Sequence, residues 1–288
     1  MFQDIAPHCY HNEYVPAPPD EDSVLLLYQG REIWMKEQEN GEIVFPLWGE
    51  IKEVCENVGN SAADTEIFPY TYAFTIDATK FFLVHAEHVK KIPDAFQPVP
   101  IRALRRRKPQ HLAFAAVTGC QLFNWYQSHH FCGRCGGHMR HDTKERMLYC
   151  ETCHSMEYPK ISPAVIVGVT KKNQILLTKY AGREYTNYAL VAGFAEIGET
   201  IEETVRREVM EEVGLKVHHL KYYKSQPWSF SDTLLFGFYC EAEEAPIHLQ
   251  EDELSLAEWV DRENVPADGT DISLTHEMMW MFKQGKNP

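Results

Sequence analysis

Residues 193–215 read GFAEIGETIEETVRREVMEEVGL, and the spacing inside this stretch decides how the chain folds around it. Glu199-Thr200 is suited to open a helix and Gly214 to end one. Residues three and four apart share a helix face, so Glu208 falls beside Glu211 and Glu212. Three carboxylates on one face repel each other unless a cation sits among them. Hard oxygen ligands select Mg²⁺ or Mn²⁺ over zinc. Arg207 lies four residues after Glu203 and four before Glu211, in place to brace the acidic ridge. Ile201, Val205 and Val209 form the apolar face that holds the helix down. The plainer alternative is an acidic amphipathic helix with ordinary salt bridges. The glycines at both ends and the complete spacing favour the metal site.

Downstream, residues 225–233 read SQPWSFSDT. Taken by itself this is a strand end turned by Pro227 and carrying two aromatics. Strands are expected at 164–170, 174–179, 234–240 and 258–260, with a closing helix at 272–282. Upstream, Cys132 and Cys135 with Cys150 and Cys153 form C-x2-C-x14-C-x2-C. Each pair bends two thiolates toward one ion, and Gly133, Gly136 and Gly137 permit the tight turns that aim them. Four sulfurs close a tetrahedral shell, so a zinc held here is structural. A redox dithiol is the rival reading, and His138, His141 and His154 lie close enough in sequence to replace a ligand.

A helix is expected over 111–127. Before it, strands at 24–28, 32–35, 72–76 and 81–84, with turns at Gly30 and Asn40-Gly41, describe a β-rich region without a catalytic constellation. Residues 93–109, containing Pro98 and Pro100, read as a linker. The expected division is a β-rich N-terminal domain with basic linker (1–108), a connecting helix and zinc ribbon (109–158), and an α/β domain (159–288).

The 288 residues are 44% hydrophobic and 24% charged, the profile of a soluble globular chain too long for one comfortable domain. No basic n-region with an apolar run opens the sequence, and no stretch approaches about 18 apolar residues. Cytoplasmic residence without membrane association is expected. In that setting the eight cysteines point to metal rather than disulfides. A formal charge of −14 argues against general nucleic-acid binding. One run goes against the average: Arg102, Arg105, Arg106, Arg107 and Lys108 are either a solvated linker or an RNA or phosphate contact.

The stretch 193–215 resembles the signature of the Nudix hydrolases, G-x5-E-x7-R-E-U-x-E-E-x-G-U with U a bulky apolar residue. It matches at Gly193, Glu199, Arg207, Glu208, Val209, Glu211, Glu212, Gly214 and Leu215. Average residue frequencies give an accidental match in a chain this long at about 10⁻⁷. Residues 225–233 are similar to the S-Q-P-W-P-F-P-x-S array of the zinc-containing NADH pyrophosphatases in that family, with Ser229, Ser231 and Thr233 departing from it. The two lost prolines leave the loop more conformational freedom before binding.

The resemblance implies a Nudix α/β/α sandwich with a mixed sheet, preceded by a four-cysteine zinc ribbon and a β-rich domain. It implies Mg²⁺ or Mn²⁺ held by Glu208, Glu211, Glu212 and Glu253, with Glu212 or Glu253 as the proton acceptor. It implies substrate contacts from Phe194, Tyr158, Gln226, Trp228 and Phe230, although Tyr158 reads equally well as a packed residue before Pro159. The implied reaction is hydrolysis of NADH, and less readily NAD⁺, to a nicotinamide mononucleotide and AMP, performed by a homodimer. Removal of NAD caps from RNA is the related reading, and the basic run is what favours it. ADP-ribose or diadenosine polyphosphate hydrolysis would need the glutamates but not the SQPW array. A non-catalytic nucleotide sensor is the alternative from another class.

Overall fold

Residues 24–28, Val-Leu-Leu-Leu-Tyr, are buried throughout, as befits a strand covered on both faces. The computed structural model describes residues 1–57, 68–182, 186–250, 252–270 and 272–288. The chain divides into two compact units, residues 2–160 with 229–231, and residue 1 with 161–228 and 232–288.

The first unit contains strands β1 (Tyr10–His11), β2 (Val24–Gln29), β3 (Glu32–Glu37) and β4 (Ile43–Val44), then helix α1 (Trp48–Asn57). Strands β5 (Thr71–Ile76), β6 (Thr79–His85) and β7 (Gln97–Pro100) follow, then helix α2 (Gln110–Ser128). The sheet runs β1-β5-β6-β2-β3-β4 with β7 also on β3. Its β2–β6 pair is parallel. On one face Leu25 and Leu27 pack with Ile51 and Cys55 of α1. On the other the Tyr28 hydroxyl donates to the Ala116 carbonyl of α2 at 2.6 Å, and its ring lies 4.9 Å from that of Phe123.

Residues 93–109 are not the free linker expected from their composition. Strand β7 pairs with β3, setting Pro98 opposite Trp34 and Pro100 opposite Glu32. The next segment, Ile101–Arg106, is a 3-10 helix that buries Ile101 and Leu104. An edge strand tolerates proline because the missing N–H falls on its unpaired side, so a proline-rich stretch can end a sheet as readily as leave it. A small three-stranded sheet of β8 (Met139–His141), β9 (Leu148–Cys150) and β10 (Met156–Glu157) completes this unit.

The second unit contains β11 (Ser162–Lys171), β12 (Gln174–Tyr180), β13 (Val191–Phe194), helix α3 (Ile201–Val213), β14 (Val217–Trp228), β15 (Thr233–Ala242), β16 (Leu254–Asp261) and helix α4 (Leu274–Lys283). Its sheet runs β14-β15-β11-β12-β16, with β13 also against β11. The β11–β15 pair is parallel and the other pairs are antiparallel, so the sheet is mixed as expected. Alternation along the strands sorts side chains to two faces. Val165, Val167, Val169, Phe238 and Cys240 meet Val205, Val209 and Val213 of α3. Ile166, Ile175, Leu177 and Tyr239 meet Leu274, Met278 and Phe282 of α4. This is an α/β/α sandwich, and burial of the three α3 valines contributes about 1.5–3 kcal/mol each.

Both ends of α3 are set by local chemistry. Thr200 and Glu203 form a reciprocal capping box at the N-terminus. Gly214 ends the helix at φ 69°, and a Cβ there would lie 2.8 Å from the His248 side chain. Among the described residues no helix is long and apolar enough to cross a membrane.

Strand β14 is not among the expected strands; it begins at Val217, and residues 225–228, read as a strand end, complete it. Gln226, Pro227 and Trp228 stand opposite Leu235, Leu234 and Thr233 of β15. Gln226 is fully buried, and its amide has both ends in use. Its Nε2 donates to the Ile272 carbonyl at 2.9 Å, and its Oε1 accepts from the Leu274 N–H at 2.7 Å. That N–H is one of the orphan donors of the first turn of α4. Gln226→Leu should therefore lower unfolding free energy by about 2–4 kcal/mol through two stranded backbone groups, read by urea denaturation. A loss below about 1 kcal/mol would show that the amide does not pin α4.

Candidate metal and active site

Strand β13 and helix α3 put Gly193 and Glu208 face to face. Gly193 stands opposite Val165 in the sheet. A Cβ on Gly193 would lie 1.9–2.1 Å from the carboxyl atoms of Glu208, so only glycine admits this carboxylate. Glu208 and Glu212 are buried, whereas the Glu211 side chain is half exposed. Burial raises the Glu208 carboxyl above its usual range; the Arg207 guanidinium opposes the shift, and the charges of Glu211 and Glu253 add to it. Glu253 is exposed, immediately ahead of β16. Glu211 and Glu253 thus lie within electrostatic reach of Glu208, and an all-oxygen donor set of this kind fits a hard divalent cation.

Arg207 holds this arrangement. Its Nε and Nη2 donate to the two oxygens of Glu199 at 2.6 and 2.9 Å. Nη1 donates to Glu208 at 2.8 Å and to Glu211 at 2.9 Å, and Nη2 also reaches the Phe194 carbonyl at 2.8 Å. The Glu199 carboxyl is pushed down to about 2, chiefly by its bond from Arg207 and then by the Glu196 N–H. The same bond raises Arg207 further above its already high range.

The expected brace from Glu203 to Arg207 is not formed. Glu203 instead accepts from the Thr200 N–H at 2.8 Å as half of the capping box. The T-x-x-E spacing of Thr200 and Glu203 carries that signal in the sequence. Glu199, part of the signature and expected only to help open the helix, takes the place of Glu203. A residue outside the helix reaches Arg207 because the chain turns back before Thr200. Spacing along a helix does not record such a turn.

The aromatic and polar residues are distributed differently. Phe194 is exposed at the end of β13, and Trp228, at the end of β14, is partly exposed. Gln226 faces inward, as described, so its side chain is engaged in the fold. Tyr158 and Phe230 belong to the first unit. Tyr158 is exposed, and its hydroxyl donates to Glu145 at 2.8 Å. The Phe230 ring lies 5.4 Å from that of Phe2, and its carbonyl accepts from Arg31.

In the ribbon, the Sγ atoms of Cys132, Cys135, Cys150 and Cys153 all lie within 4.8 Å of one another. The two halves are built alike. The Gly136 N–H donates to the Cys132 carbonyl and the His154 N–H to the Cys150 carbonyl, both at 2.9 Å. Gly136 and His154 both take positive φ, at 73° and 58°. His154 therefore supplies a backbone position rather than a ligand. His138 and His141 pack on Phe131 and Tyr126. Backbone N–H groups point at the sulfurs, led by that of Cys153, and pull the Cys150 thiol down to about 6. Four convergent sulfurs with thiolate-stabilising donors fit a structural zinc.

Gly193→Ala tests the close approach directly. The added methyl must displace the Glu208 carboxylate, so Mn²⁺ affinity, measured by electron paramagnetic resonance of the free ion, should fall about 10–100-fold with little change in thermal stability. Unchanged Mn²⁺ affinity would mean that Glu208 takes no part in holding the ion.

The NUDIX domain family profile matches residues 160–278. The chain is 40% identical over 151 residues to the NAD-capped RNA hydrolase NudC of Photorhabdus laumondii, covering 52% of this chain and 59% of that protein. It is 39% identical over 151 residues to proteins of the same name from Klebsiella pneumoniae and Escherichia coli O157:H7, with the same coverage. The chain thus matches less than two thirds of the length of these relatives. A NUDIX hydrolase from Nitrosomonas europaea aligns with a TM-score of 0.46 at 20% identity, over 54% of this chain and 93% of that structure. The glutamate helix and the mixed sheet both lie inside the matched residues 160–278, which carry the NUDIX domain.

Proposed function

We propose that this chain hydrolyses the pyrophosphate of NADH, and less readily of NAD⁺, to a nicotinamide mononucleotide and AMP. The observation that carries the reading is the Glu208 carboxylate seated over Gly193, held by Arg207 and facing the charges of Glu211 and Glu253. The similarity of residues 225–233 to the array of NADH pyrophosphatases and the names of the relatives support the choice of dinucleotide. Glu208, Glu211, Glu212 and Glu253 would hold Mg²⁺ or Mn²⁺, which supplies charge neutralisation at the phosphoryl group and a more acidic water.

The chain's own residues do the rest. Arg207 fixes Glu208 and Glu211 and ties them to the Phe194 carbonyl, so the glutamate face and the loop beside it move as one body. Water adds its oxygen to one phosphorus, the bridging P–O bond breaks, and the departing nucleotide keeps the bridging oxygen. The water's proton passes to Glu212 or Glu253. Phe194, Tyr158 and Trp228 offer ring faces to the flat heterocycles of the substrate. Phe230 acts from within the same array, and Gln226 acts through the fold that carries it. The four cysteines hold zinc. Residues 1–108, 109–158 and 159–288 serve as structural domain, ribbon and catalytic domain of a cytoplasmic homodimer, the commonest symmetric assembly.

Chromatography of products from NADH, NAD⁺, ADP-ribose and a diadenosine polyphosphate with Mg²⁺ or Mn²⁺ tests this reading. AMP and reduced nicotinamide mononucleotide should form fastest from NADH, and Glu212→Gln should lower kcat by about 10²–10⁴-fold. Preference for ADP-ribose or the diadenosine compound would reject the substrate while leaving the hydrolase. No turnover of any of them would favour a nucleotide sensor.

Removal of NAD caps from RNA is a second reading, favoured by the similarity to NAD-capped RNA hydrolases. Arg102, Arg106 and Lys108 are exposed, while Arg107 pairs with Glu37 at 2.6 Å. Joint replacement of Arg105, Arg106 and Arg107 by alanine should weaken cleavage of capped RNA and flatten its salt dependence, while NADH turnover stays within about two-fold. Equal loss on both substrates would place the effect in folding rather than in RNA contact.

A further inference from the structure

Far along the β14–β15 hairpin from Trp228, two adjacent histidines and a glutamate come together on the surface of the second unit. In a regular strand His218 and His219 would point to opposite faces. They do not, because the β14–β15 register slips after His218 and His219 takes a left-handed conformation with φ 52°. The two imidazole rings lie 4.5 Å apart. One ligand atom from each of His218, His219 and Glu241 lies within 4.8 Å of the other two.

We infer that His218, His219 and Glu241 form a binding site for a borderline divalent transition metal of the Zn²⁺, Ni²⁺ or Cu²⁺ class. Imidazole nitrogen paired with one carboxylate is the donor set these ions prefer, whereas Mg²⁺ and Mn²⁺ favour oxygen alone. Three ligands at about 2.1 Å from a tetrahedral ion sit about 3.4 Å apart, so small side-chain rotations close the site. One ligand is already oriented. His218 Nδ1 lies 2.8 Å from the Glu241 carbonyl, which only accepts, so the proton is on Nδ1 and the lone pair is on Nε2. His219 Nδ1 is 3.5 Å from the Glu241 carboxylate, and both side chains are more than half exposed, so an ion has direct access.

Three protein ligands leave a coordination position open. His219 and Glu241 line a cleft that also holds Thr170, Lys172 and Lys221, so a water or small anion completes the shell beside two ammonium groups. Those ammonium groups repel the ion and make this site weaker than the ribbon. Bound metal would clip the edge strand β14 to β15 at the end of the hairpin remote from Trp228. Nothing in this site depends on the hydrolytic activity.

The test is Ni²⁺ titration calorimetry on the zinc-loaded full chain with saturating Mg²⁺, paired with Cu²⁺ electron paramagnetic resonance. The variant is His218→Gln with His219→Asn. Asparagine tolerates the left-handed conformation, so the bulge survives while both imidazoles go. The intact chain should bind one more equivalent of Ni²⁺ than the variant, or bind it at least about 10-fold tighter, and its Cu²⁺ spectrum should show nitrogen splitting that the variant loses. Glu241→Gln, tested alone, should weaken Ni²⁺ binding while keeping the nitrogen splitting. Equal stoichiometry and affinity for the intact chain and the double variant, both with native circular dichroism, would overturn the proposal.

Discussion

Arg207 has five N–H donors in a rigid fork, and this fold directs them at three carboxylates and one carbonyl. That concentration is what allows so much negative charge in one place. Glu208 and Glu211 would otherwise repel each other along the helix, and Glu208 carries the further cost of burial. A lysine would satisfy one acceptor as a point charge; the guanidinium satisfies several in fixed directions. Glu199 anchors the fork from outside the helix through two bonds, with Thr204 and the Glu196 N–H holding Glu199 in turn. The glutamate face is therefore preorganised by one cation rather than by the backbone alone.

The rest of the unit keeps that cation and its carboxylates in register. Val205, Val209 and Val213 set the depth of α3 on the sheet, while the capping box and Gly214 set where it begins and ends. Gly193 then supplies the missing volume for Glu208. Gly193 and Gly214, on either side of the helix, do different work. Gly214 is needed for its backbone angle, and Gly193 for the absence of a side chain. On the opposite face, Gln226 and Tyr239 tie α4 to β14 and β15 through buried hydrogen bonds, the latter at 2.6 Å to the Met278 carbonyl. Both layers of the sandwich are thus fastened by polar contacts as well as by apolar burial.

How much of this was legible beforehand follows from what a one-dimensional pattern can encode. The helix 201–213, its apolar face and the four-cysteine grouping depend on short spacings, and short spacings survive in the sequence. The strand at 217–228 was not evident because its early residues are partly exposed and polar while its end contains proline. Residues 93–109 read as linker because Pro98 and Pro100 dominate the composition, although an edge position accommodates them. The inward turn of Gln226 and the capture of Arg207 by Glu199 were hidden for a different reason. Each depends on a segment distant along the chain or on a loop that doubles back. His219 shows the same limit, since alternation places it opposite His218 and only the bulge brings the pair together.

The charge of the whole chain fits this local picture. At −14, it offers the proposed substrate, an anionic dinucleotide, no general attraction, so on that reading recognition comes from a small number of localised positive centres. Arg207 is not one of them, because its donors are taken by carboxylates and a carbonyl. Nor is Arg107, whose partner is Glu37. The glutamate face gathers negative charge where a phosphoryl group would have to approach, which is self-defeating for a side-chain-only site. It becomes sensible once the carboxylates serve as ligands, since two or three of them leave a bound divalent ion enough field to attract phosphate oxygens. Burial of Glu208 strengthens that logic: a desolvated carboxylate gains more from a nearby cation than an exposed one, because less water screens the pair. The acidity of the protein and the chemistry proposed for it are two aspects of one design.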